Sequence, residues 1–303
     1  MKLPPLVSIS CLTFNHVDYI RKCLDGFMMQ NCNFDFEVLI HDDASTDATA
    51  EIIKEYQSMY PNIIKPIIQI ENQWSKGIRD ITLKYNISRA RGKYLAFCEG
   101  DDYWTDPFKL QKQVDFLESN PDYILCFHDC RYSKDGNLAE RFLEKYELNS
   151  SREITALEFR NWWAQTATIV FKNDPLIYKR MSSVQTVIYA DAIFRCAIVE
   201  FGKIYFINEV MSVYRIHSGG VTSISNNNKK DFKKIQQFLE MQIVFNISLS
   251  QPIAKSYYFI SLRYFLAGNY LSFVKYFSLA VRHNPSDVFH RVAAKLMTPF
   301  QTN

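Results

Sequence analysis

The architecture of this chain follows from three stretches: VSISCLTFN at residues 7–15, FEVLIHDDASTD at residues 36–47 and RGKYLAFCEGDD at residues 91–102. Each is an apolar run that ends in polar side chains, which is typical of a strand leading into a loop. Between these strands, apolar residues recur at helical spacing over residues 20–28 and 48–60. The pattern also predicts a helix over residues 80–91 and, later in the chain, short strands at residues 203–207 and 211–214. Strands that alternate with helices predict an α/β fold with a mostly parallel sheet, flanked by helices and joined by right-handed crossovers.

Polar clusters end the three strands. They comprise residues 13–16 after the first strand, residues 42–47 after the second, and Asp101 with Asp102 after the third. In open α/β sheets, ligands bind outside the carboxyl ends of parallel strands. We therefore expect the three clusters to converge on one edge of the sheet and to form the binding site.

The composition is that of a folded globular protein with a basic tail. Of the 303 residues, 48% are hydrophobic and 22% are charged, which excludes a wholly disordered chain. The net charge of +3 is uneven, because residues 229–303 hold 10 Lys and Arg against 3 Asp and Glu. Helical spacing in this tail, together with the polar run at residues 226–230, predicts one α/β domain at residues 1–225, which carries the expected binding site, and a small helical extension at residues 229–303.

The tail allows two interpretations. Its mixture of basic and aromatic residues is typical of helices on an anionic membrane surface, whereas a faint helical-hairpin pattern favours packing or oligomerisation. Nucleic acid is not expected as a partner, because the tail is strongly apolar and the sheet edge is acidic.

No secretory leader is expected, and neither is a membrane-spanning helix, since Arg263 and Lys275 interrupt the apolar region at residues 257–281. The seven cysteines include no CxxC pair, which favours reduced thiols over zinc. The expected location is the cytoplasm, with peripheral attachment to the inner face of the cell membrane left open.

The carboxylates after the third strand favour a bound divalent cation. Adjacent aspartates supply the oxygen ligands that a hard cation needs, and substrate phosphates usually complete its coordination; a solvated turn is the alternative. Tyr103 and Trp104 follow the pair and suit a sugar or base surface. The chain has no GxxxxGK[ST] loop and no GxGxxG after its first strand, so P-loop and dinucleotide-binding functions are unsupported.

The three stretches, in this order and spacing, resemble glycosyltransferase family 2 over roughly residues 5–130. YADAIFR at residues 189–195 is similar to the region of the family's catalytic base, and YRIHSGG at residues 214–220 to the end of its catalytic domain. The resemblance implies the GT-A fold, inverting sugar transfer from a nucleotide diphosphate, and a divalent cation, Mn²⁺ or Mg²⁺. Two departures are Leu12, where Pro is frequent, and Glu-Gly-Asp-Asp at residues 99–102 instead of a literal Asp-x-Asp.

The resemblance also implies how the donor is bound. Thr13, Phe14 and Asn15 would border the nucleotide base. Asp43 would accept a hydrogen bond from the base, with Asp42 as the less favoured partner. The expected nucleotide is UDP, and the base and sugar identities are left open by the motifs.

Further roles concern the phosphates, the metal and the acceptor. Asp102 would ligate the metal, and Asp101 would face the ribose or sugar of the donor. His217 is a candidate metal or phosphate ligand, although it also fits an ordinary surface histidine. Arg79 is a candidate partner of the pyrophosphate, and Trp104 is a candidate stacking surface for the acceptor sugar.

The catalytic base is expected to be Asp191. The acceptor hydroxyl has a pKa far above neutrality, so a carboxylate must take its proton as attack proceeds. Asp191 opens a predicted helix, whose free N–H groups would stabilise the ionised carboxylate. A plain helix N-cap is the alternative role for this residue.

These inferences predict a metal-dependent glycosyltransferase that transfers a sugar to a hydroxyl of a glycan or lipid-linked acceptor in cell-surface polysaccharide synthesis. The alternative from another class is a catalytically silent sugar-nucleotide-binding scaffold of a glycan-assembly complex. A nucleotidyltransferase is a third possibility, but the Gly-rich N-terminal loop that it needs is absent from the sequence.

Overall fold

The structure of the protein is a computed structural model. It describes residues 4–134, 136–146, 148–161, 164–217 and 228–297. The last three residues of the stretch at 214–220 and the first two of the predicted linker at 226–230 lie outside the described residues.

The chain divides into two compact units. The first comprises Met1–Arg180 and Phe194–Gly220, and the second comprises Met181–Ile193 and Val221–Asn303. The division near residue 220 is close to the predicted end of the catalytic domain at residue 225. The same division groups the segment that carries Asp191 with the C-terminal helices, which the sequence pattern did not predict.

Strands and helices alternate through most of the chain. The strands are β1 Val7–Thr13, β2 Phe36–Asp42, β3 Ile64–Ile68, β4 Tyr94–Phe97, β5 Tyr103–Trp104, β6 Tyr123–Lys134, β7 Asn137–Arg141, β8 Arg152–Ile154, β9 Ile169–Lys172 and β10 Lys203–Ile216. The helices are α1 Ile20–Met28, α2 Thr49–Met59, α3 Lys109–Ser119, α4 Ala156–Asn161, α5 Pro175–Met181, α6 Ala190–Ile198, α7 Asn228–Phe245, α8 Ser250–Leu266, α9 Tyr270–His283 and α10 Pro285–Met297.

One mixed sheet forms the centre of the first unit. Its strand order is β3-β2-β1-β4-β9-β6-β10-β5, and β7 and β8 pair with β6 and β10. The pairs β2–β3, β1–β2, β1–β4 and β6–β10 are parallel. β9 is antiparallel to both of its neighbours, β4 and β6. The predicted α/β fold is confirmed, and its parallel part is the part that carries the polar strand ends.

The central strand β1 is buried on both faces. Ile9 and Ser8 have no exposed surface, and Ser10 is 3% exposed. The Ser8 hydroxyl donates to Glu37 Oε1 at 2.7 Å, and the Asn86 side-chain amide donates to Ser10 Oγ at 3.0 Å. The serines therefore do not mark a solvent face, because buried partners satisfy each hydroxyl.

Two regions differ from the elements that the sequence predicts. The short strands predicted at residues 203–207 and 211–214 form one long strand, β10, which shifts its register against β6 at residues 207–212. The helix predicted over residues 80–91 is replaced by two short helical turns. The first turn is wider than an α-helix, and it places the buried Asn86 amide against β1.

The second unit consists of helices with a small core. Ile235, Ile253 and Ile260 are buried in one cluster of this core. At the turn between α8 and α9, by contrast, Leu266 is 83% exposed and Leu271 is 88% exposed. Among the described residues, no helix has the length and apolarity needed to cross a membrane.

Candidate active site

The polar ends of β1, β2 and β4 meet at one edge of the sheet, as predicted. Thr13 at the end of β1 pairs with Asp42 at the end of β2. The N–H of Asp43 donates to the Thr13 carbonyl at 3.0 Å, and the N–H of Gly100 donates to the Leu12 carbonyl at 2.8 Å. These bonds place all three loops on one surface of the first unit.

Asp43 organises the loop that follows β3. Its carboxylate oxygens accept hydrogen bonds from the N–H of Gln73 at 2.7 Å and the N–H of Trp74 at 3.1 Å. Each oxygen has a further lone pair, so the carboxylate can still accept a bond from a nucleotide base. Asp42 has no exposed surface, and its Oδ2 accepts a hydrogen bond from the N–H of Ser45 at 3.1 Å. Asp43 is therefore the better placed of the two aspartates to meet a ligand.

The turns after β1 and β2 contain two residues with left-handed backbone. Asn15 has φ 54° and Ala44 has φ 62°. Asn15 supports its turn with two bonds, because its Oδ1 accepts from the N–H of Thr46 at 2.8 Å and its own N–H donates to Ser45 Oγ at 2.9 Å. Asparagine tolerates this conformation better than most residues. Phe14, which precedes Asn15, is 43% exposed, so an apolar ring is available at this edge.

An arginine and a tryptophan lie beside the Asp43 loop. The Arg79 guanidinium stands 4.0 Å from the centroid of the Trp74 ring and donates to the Trp74 carbonyl. Trp74 is 41% exposed, and its N–H is fixed by Asp43. Trp74 thus contacts both Arg79, the predicted partner of the pyrophosphate, and Asp43, the predicted partner of the nucleotide base.

Asp101 lies between two histidines. Its Oδ2 is 3.0 Å from His217 Nε2 and 3.9 Å from His16 Nε2. The ligand atoms of all three side chains lie within 4.8 Å of one another, and in the described part of the chain they are the one group of His, Cys, Asp or Glu arranged in this way. One carboxylate with two imidazoles suits a first-row divalent cation such as Mn²⁺. These residues therefore fit Mn²⁺ better than Mg²⁺, the other cation that the family resemblance implies, because Mg²⁺ is bound mainly by oxygen ligands.

Asp102 has a different environment. It is 2% exposed, and its Oδ1 accepts from the N–H of Arg215 at 2.8 Å. Burial, with Asp101 and Glu99 close by, raises the pKa of the Asp102 carboxyl well above its ordinary value. The Arg215 guanidinium in turn donates to the Asp101 carbonyl, so these contacts tie the end of β10 to the turn after β4. The structure places Asp101, rather than Asp102, among the histidines.

Gly100 allows the loops to approach closely. A Cβ at this position would lie 2.8 Å from Thr13 Oγ1 and 3.0 Å from His16 Nδ1. Both of these atoms are buried, and in the described residues neither has a hydrogen-bond partner. Because buried polar atoms normally have one, these two atoms are exceptions to the usual pattern, and they lie where the three loops meet.

Trp104 is part of the core. It is 2% exposed, its indole N–H donates to the Ala167 carbonyl at 2.9 Å, and the Phe27 ring lies 4.9 Å away. The Lys109 ammonium stands 4.0 Å from the ring, and burial lowers the pKa of Lys109 to about 7. Stacking on a sugar needs an exposed aromatic face, and the Trp104 ring has almost none.

Asp191 belongs to the second unit. It lies in the first turn of α6, close to the predicted helix start, and its side chain is half-buried. Asp191 therefore lies near a helix N-terminus, where the free N–H groups that the sequence analysis expected would favour an ionised carboxylate. Its role as the base stays a prediction.

Two residues of the edge were missed by sequence reasoning. His16 directly follows the first quoted stretch, and an imidazole in a loop already assigned to the site was a signal that could have found it. Trp74 gave no comparable signal, because its loop reaches the edge through a contact with Asp43 that spans 31 residues.

The sheet and its carboxylate edge define a fold of the GT-A glycosyltransferase type. Crystal structures with this fold include S. aureus TarS 1–349 with UDP-GlcNAc, at a TM-score of 0.65 over 93% of this chain and 82% of that one, with 18% identity. The mannosyltransferase PcManGT from Pyrobaculum calidifontis, in complex with GDP-Man and Mn²⁺, has a TM-score of 0.55 over 97% of this chain and 81% of that one, with 16% identity. At these identities the likeness concerns the fold alone.

The chain belongs to glycosyl transferase family 2, whose family model matches residues 8–201. An uncharacterized protein of Mycobacterium tuberculosis is 36% identical over 226 residues, which are 75% of this chain. The chain spans 63% of the length of that relative. The Bacillus subtilis protein named as the teichuronic acid biosynthesis glycosyltransferase TuaG is 27% identical over 234 residues, which cover 76% of this chain and 85% of TuaG.

Proposed function

We propose that the protein transfers a sugar, with inversion, from a UDP-sugar to a hydroxyl of a glycan or lipid-linked acceptor in cell-surface polysaccharide synthesis. The observation that carries the proposal is the cluster of His16, Asp101 and His217 at the same sheet edge as Asp43. UDP-GlcNAc in the TarS complex supports a UDP-linked donor, and the name of TuaG supports a surface polymer as product.

The donor site in this proposal uses the turns after β1, β2 and β3. Asp43 would accept a hydrogen bond from the base, with Thr13, Phe14 and Asn15 along its border. Arg79 would face the pyrophosphate, where a guanidinium suits phosphate geometry. Support for this arrangement comes from the bonds that already join these turns, among them Asn15 to Thr46 and Asp43 to Trp74.

Asp101 and His217 would hold the divalent cation, with His16 as the third ligand. A bound cation supplies stabilisation of the negative charge that grows on the departing nucleoside diphosphate. Asp102 would keep the end of β10 in place through the N–H of Arg215. The assignment of the cation to Asp102, which the motif suggested, stays a competing prediction.

Asp191 would take the proton of the acceptor hydroxyl. In a single displacement, the acceptor oxygen forms a bond to the anomeric carbon while the bond from that carbon to the phosphate oxygen breaks. An α-linked donor then yields a β-linked product, and the nucleoside diphosphate leaves with the electron pair. A carboxylate base is needed because the free hydroxyl is a weak nucleophile at neutral pH.

Calorimetry with nucleotides tests the donor assignment. We expect UDP to bind the wild-type protein more tightly with Mn²⁺ than without it, and more tightly than GDP or dTDP. Tighter binding of GDP or dTDP would change the identity of the proposed donor and leave the rest of the proposal intact. Binding without turnover of any nucleotide sugar would favour the silent scaffold, and no binding of any nucleotide would end the proposal.

We also propose that the second unit lies on an anionic membrane, which would place the protein on the cytoplasmic face of the cell membrane. From residue 241 to residue 286 the chain contains no Asp or Glu, and its basic residues there are Lys255, Arg263, Lys275 and Arg282. The exposed Leu266 and Leu271 lie within the same stretch. Exposed apolar side chains in a stretch whose charged residues are all basic suit the headgroup region of such a membrane.

Vesicle flotation tests the membrane contact. The wild-type protein should float with vesicles that contain phosphatidylglycerol and should float less in high salt. Serine in place of both Leu266 and Leu271 should reduce flotation, whereas Met59→Ser, which changes a half-exposed apolar residue of the first unit, should not. Equal flotation of the two variants would contradict the proposed contact.

A further inference from the structure

One face of α7 holds the segment that leads into Asp191. Three residues of this face, Lys234, Gln237 and Glu240, are spaced three apart and so lie along one side of the helix. All three contact residues 185–189, which end immediately before α6. The contacts lie entirely within the second unit.

Gln237 makes the central contact. Its side chain has no exposed surface. Its Oε1 accepts from the N–H of Ile188 at 2.7 Å and from the N–H of Tyr189 at 2.9 Å, and its Nε2 donates to the Tyr189 carbonyl at 2.9 Å. One buried amide therefore satisfies three backbone groups, and the last of them is two residues from Asp191.

Glu240 fixes the start of the same segment. Its carboxylate accepts from the N–H of Gln185 at 3.0 Å, from the N–H of Thr186 at 2.8 Å and from the Thr186 hydroxyl at 2.6 Å. Burial works to raise the pKa of Glu240, but these bonds, with one from Gln236, hold it below its ordinary value. The Lys234 ammonium lies 5.6 Å from the Tyr189 ring centroid and adds a cation–π contact.

We infer that Gln237 and Glu240 are positioning residues for the catalytic base, an inference that rests on the role proposed for Asp191. A residue near the start of a helix takes its position from the backbone that enters the helix. The two side chains hold that backbone over residues 185–189 through six hydrogen bonds. In this way α7 would contribute to the reaction through the segment that it positions.

Three variants test the inference. Gln237→Met keeps the length of the side chain and removes all three of its bonds to the segment. Glu240→Gln keeps the shape and can keep an oxygen toward the N–H groups of Gln185 and Thr186, but it removes the charge and the oxygen that accepts from the Thr186 hydroxyl. Lys233→Ala is the matched control, because Lys233 is an exposed residue of the same helix.

The readout is release of nucleoside diphosphate from the nucleotide sugar identified by calorimetry, with water as acceptor and radiolabelled donor for sensitivity. We expect Gln237→Met to lower kcat by about 10- to 100-fold, with a smaller loss for Glu240→Gln, because small misplacements of catalytic groups have effects of this size. In both variants, the KM for donor and the Kd for UDP should stay at their wild-type values. Lys233→Ala should match the wild type in kcat, KM and Kd.

A double-mutant cycle separates positioning from general folding. In an Asp191→Asn background, Gln237→Met should lower the residual rate no further, since the group that it positions is already gone. An equal loss in both backgrounds, or no loss of kcat in the wild-type background, would overturn the inference. If Asp191→Asn alone retains full activity, the proposed base is wrong, and that result is distinct from a failure of Gln237 to act through it.

Discussion

Replacement of Asp191 by asparagine will lower turnover by about 10³-fold and leave UDP binding unchanged. Asparagine has nearly the same shape as aspartate, and it can still occupy the first turn of α6. What it lacks is a group that takes a proton from the acceptor. The measurement is release of nucleoside diphosphate under saturating donor, with the Kd for UDP from calorimetry on the same preparation.

The control for this experiment is Asp122→Asn. Asp122 is an exposed aspartate that directly precedes β6, at the amino end of that strand and away from the polar edge. It should show wild-type turnover. Turnover of Asp191→Asn within about tenfold of the wild type would be too small a loss for a general base and would remove Asp191 from the proposed reaction.

The second large effect concerns the cation. Asp101→Asn should abolish the increase in UDP affinity that Mn²⁺ produces, and it should weaken binding of Mn²⁺ alone by at least about 100-fold. The reason is that Asp101 Oδ2 is the one carboxylate oxygen grouped with His16 and His217 in the described structure. Asparagine keeps the volume and removes the negative charge that attracts the ion.

Asp102→Asn is the matched partner of this variant. Asp102 accepts a hydrogen bond from the N–H of Arg215, and the side-chain carbonyl of asparagine can accept the same bond. We therefore expect Asp102→Asn to keep most of the Mn²⁺ effect. The opposite outcome, loss in Asp102→Asn and retention in Asp101→Asn, would support the assignment that the sequence motif suggested and contradict the one drawn from the geometry.

Much of the fold could be predicted because its signals are local. Apolar periodicity located α1 at residues 20–28, and polar strand ends located the edge where Thr13, Asp42 and Gly100 meet. Each of these features depends on residues close together in the chain, and for that reason single-sequence patterns find them.

The rest depends on contacts between distant residues. Trp104 follows a strand-end carboxylate and so suggested a binding surface, yet Phe27 and Ala167, 77 and 63 residues away, enclose it. The long strand β10 is held together by pairing with β6, across a register shift that no local pattern predicts. The contact of Gln237 with Tyr189 likewise joins residues 48 positions apart.

His217 and Asp101 are already joined at 3.0 Å before any cation is bound. Three freely rotating side chains would each lose rotamer entropy when an ion gathers them. In the proposed cation site, Asp101 and His217 would incur that loss during folding, and the ion would exchange one internal hydrogen bond for coordination. The proposed donor site would therefore be preorganised, and its discrimination among divalent ions would rest on fixed spacing more than on adaptation.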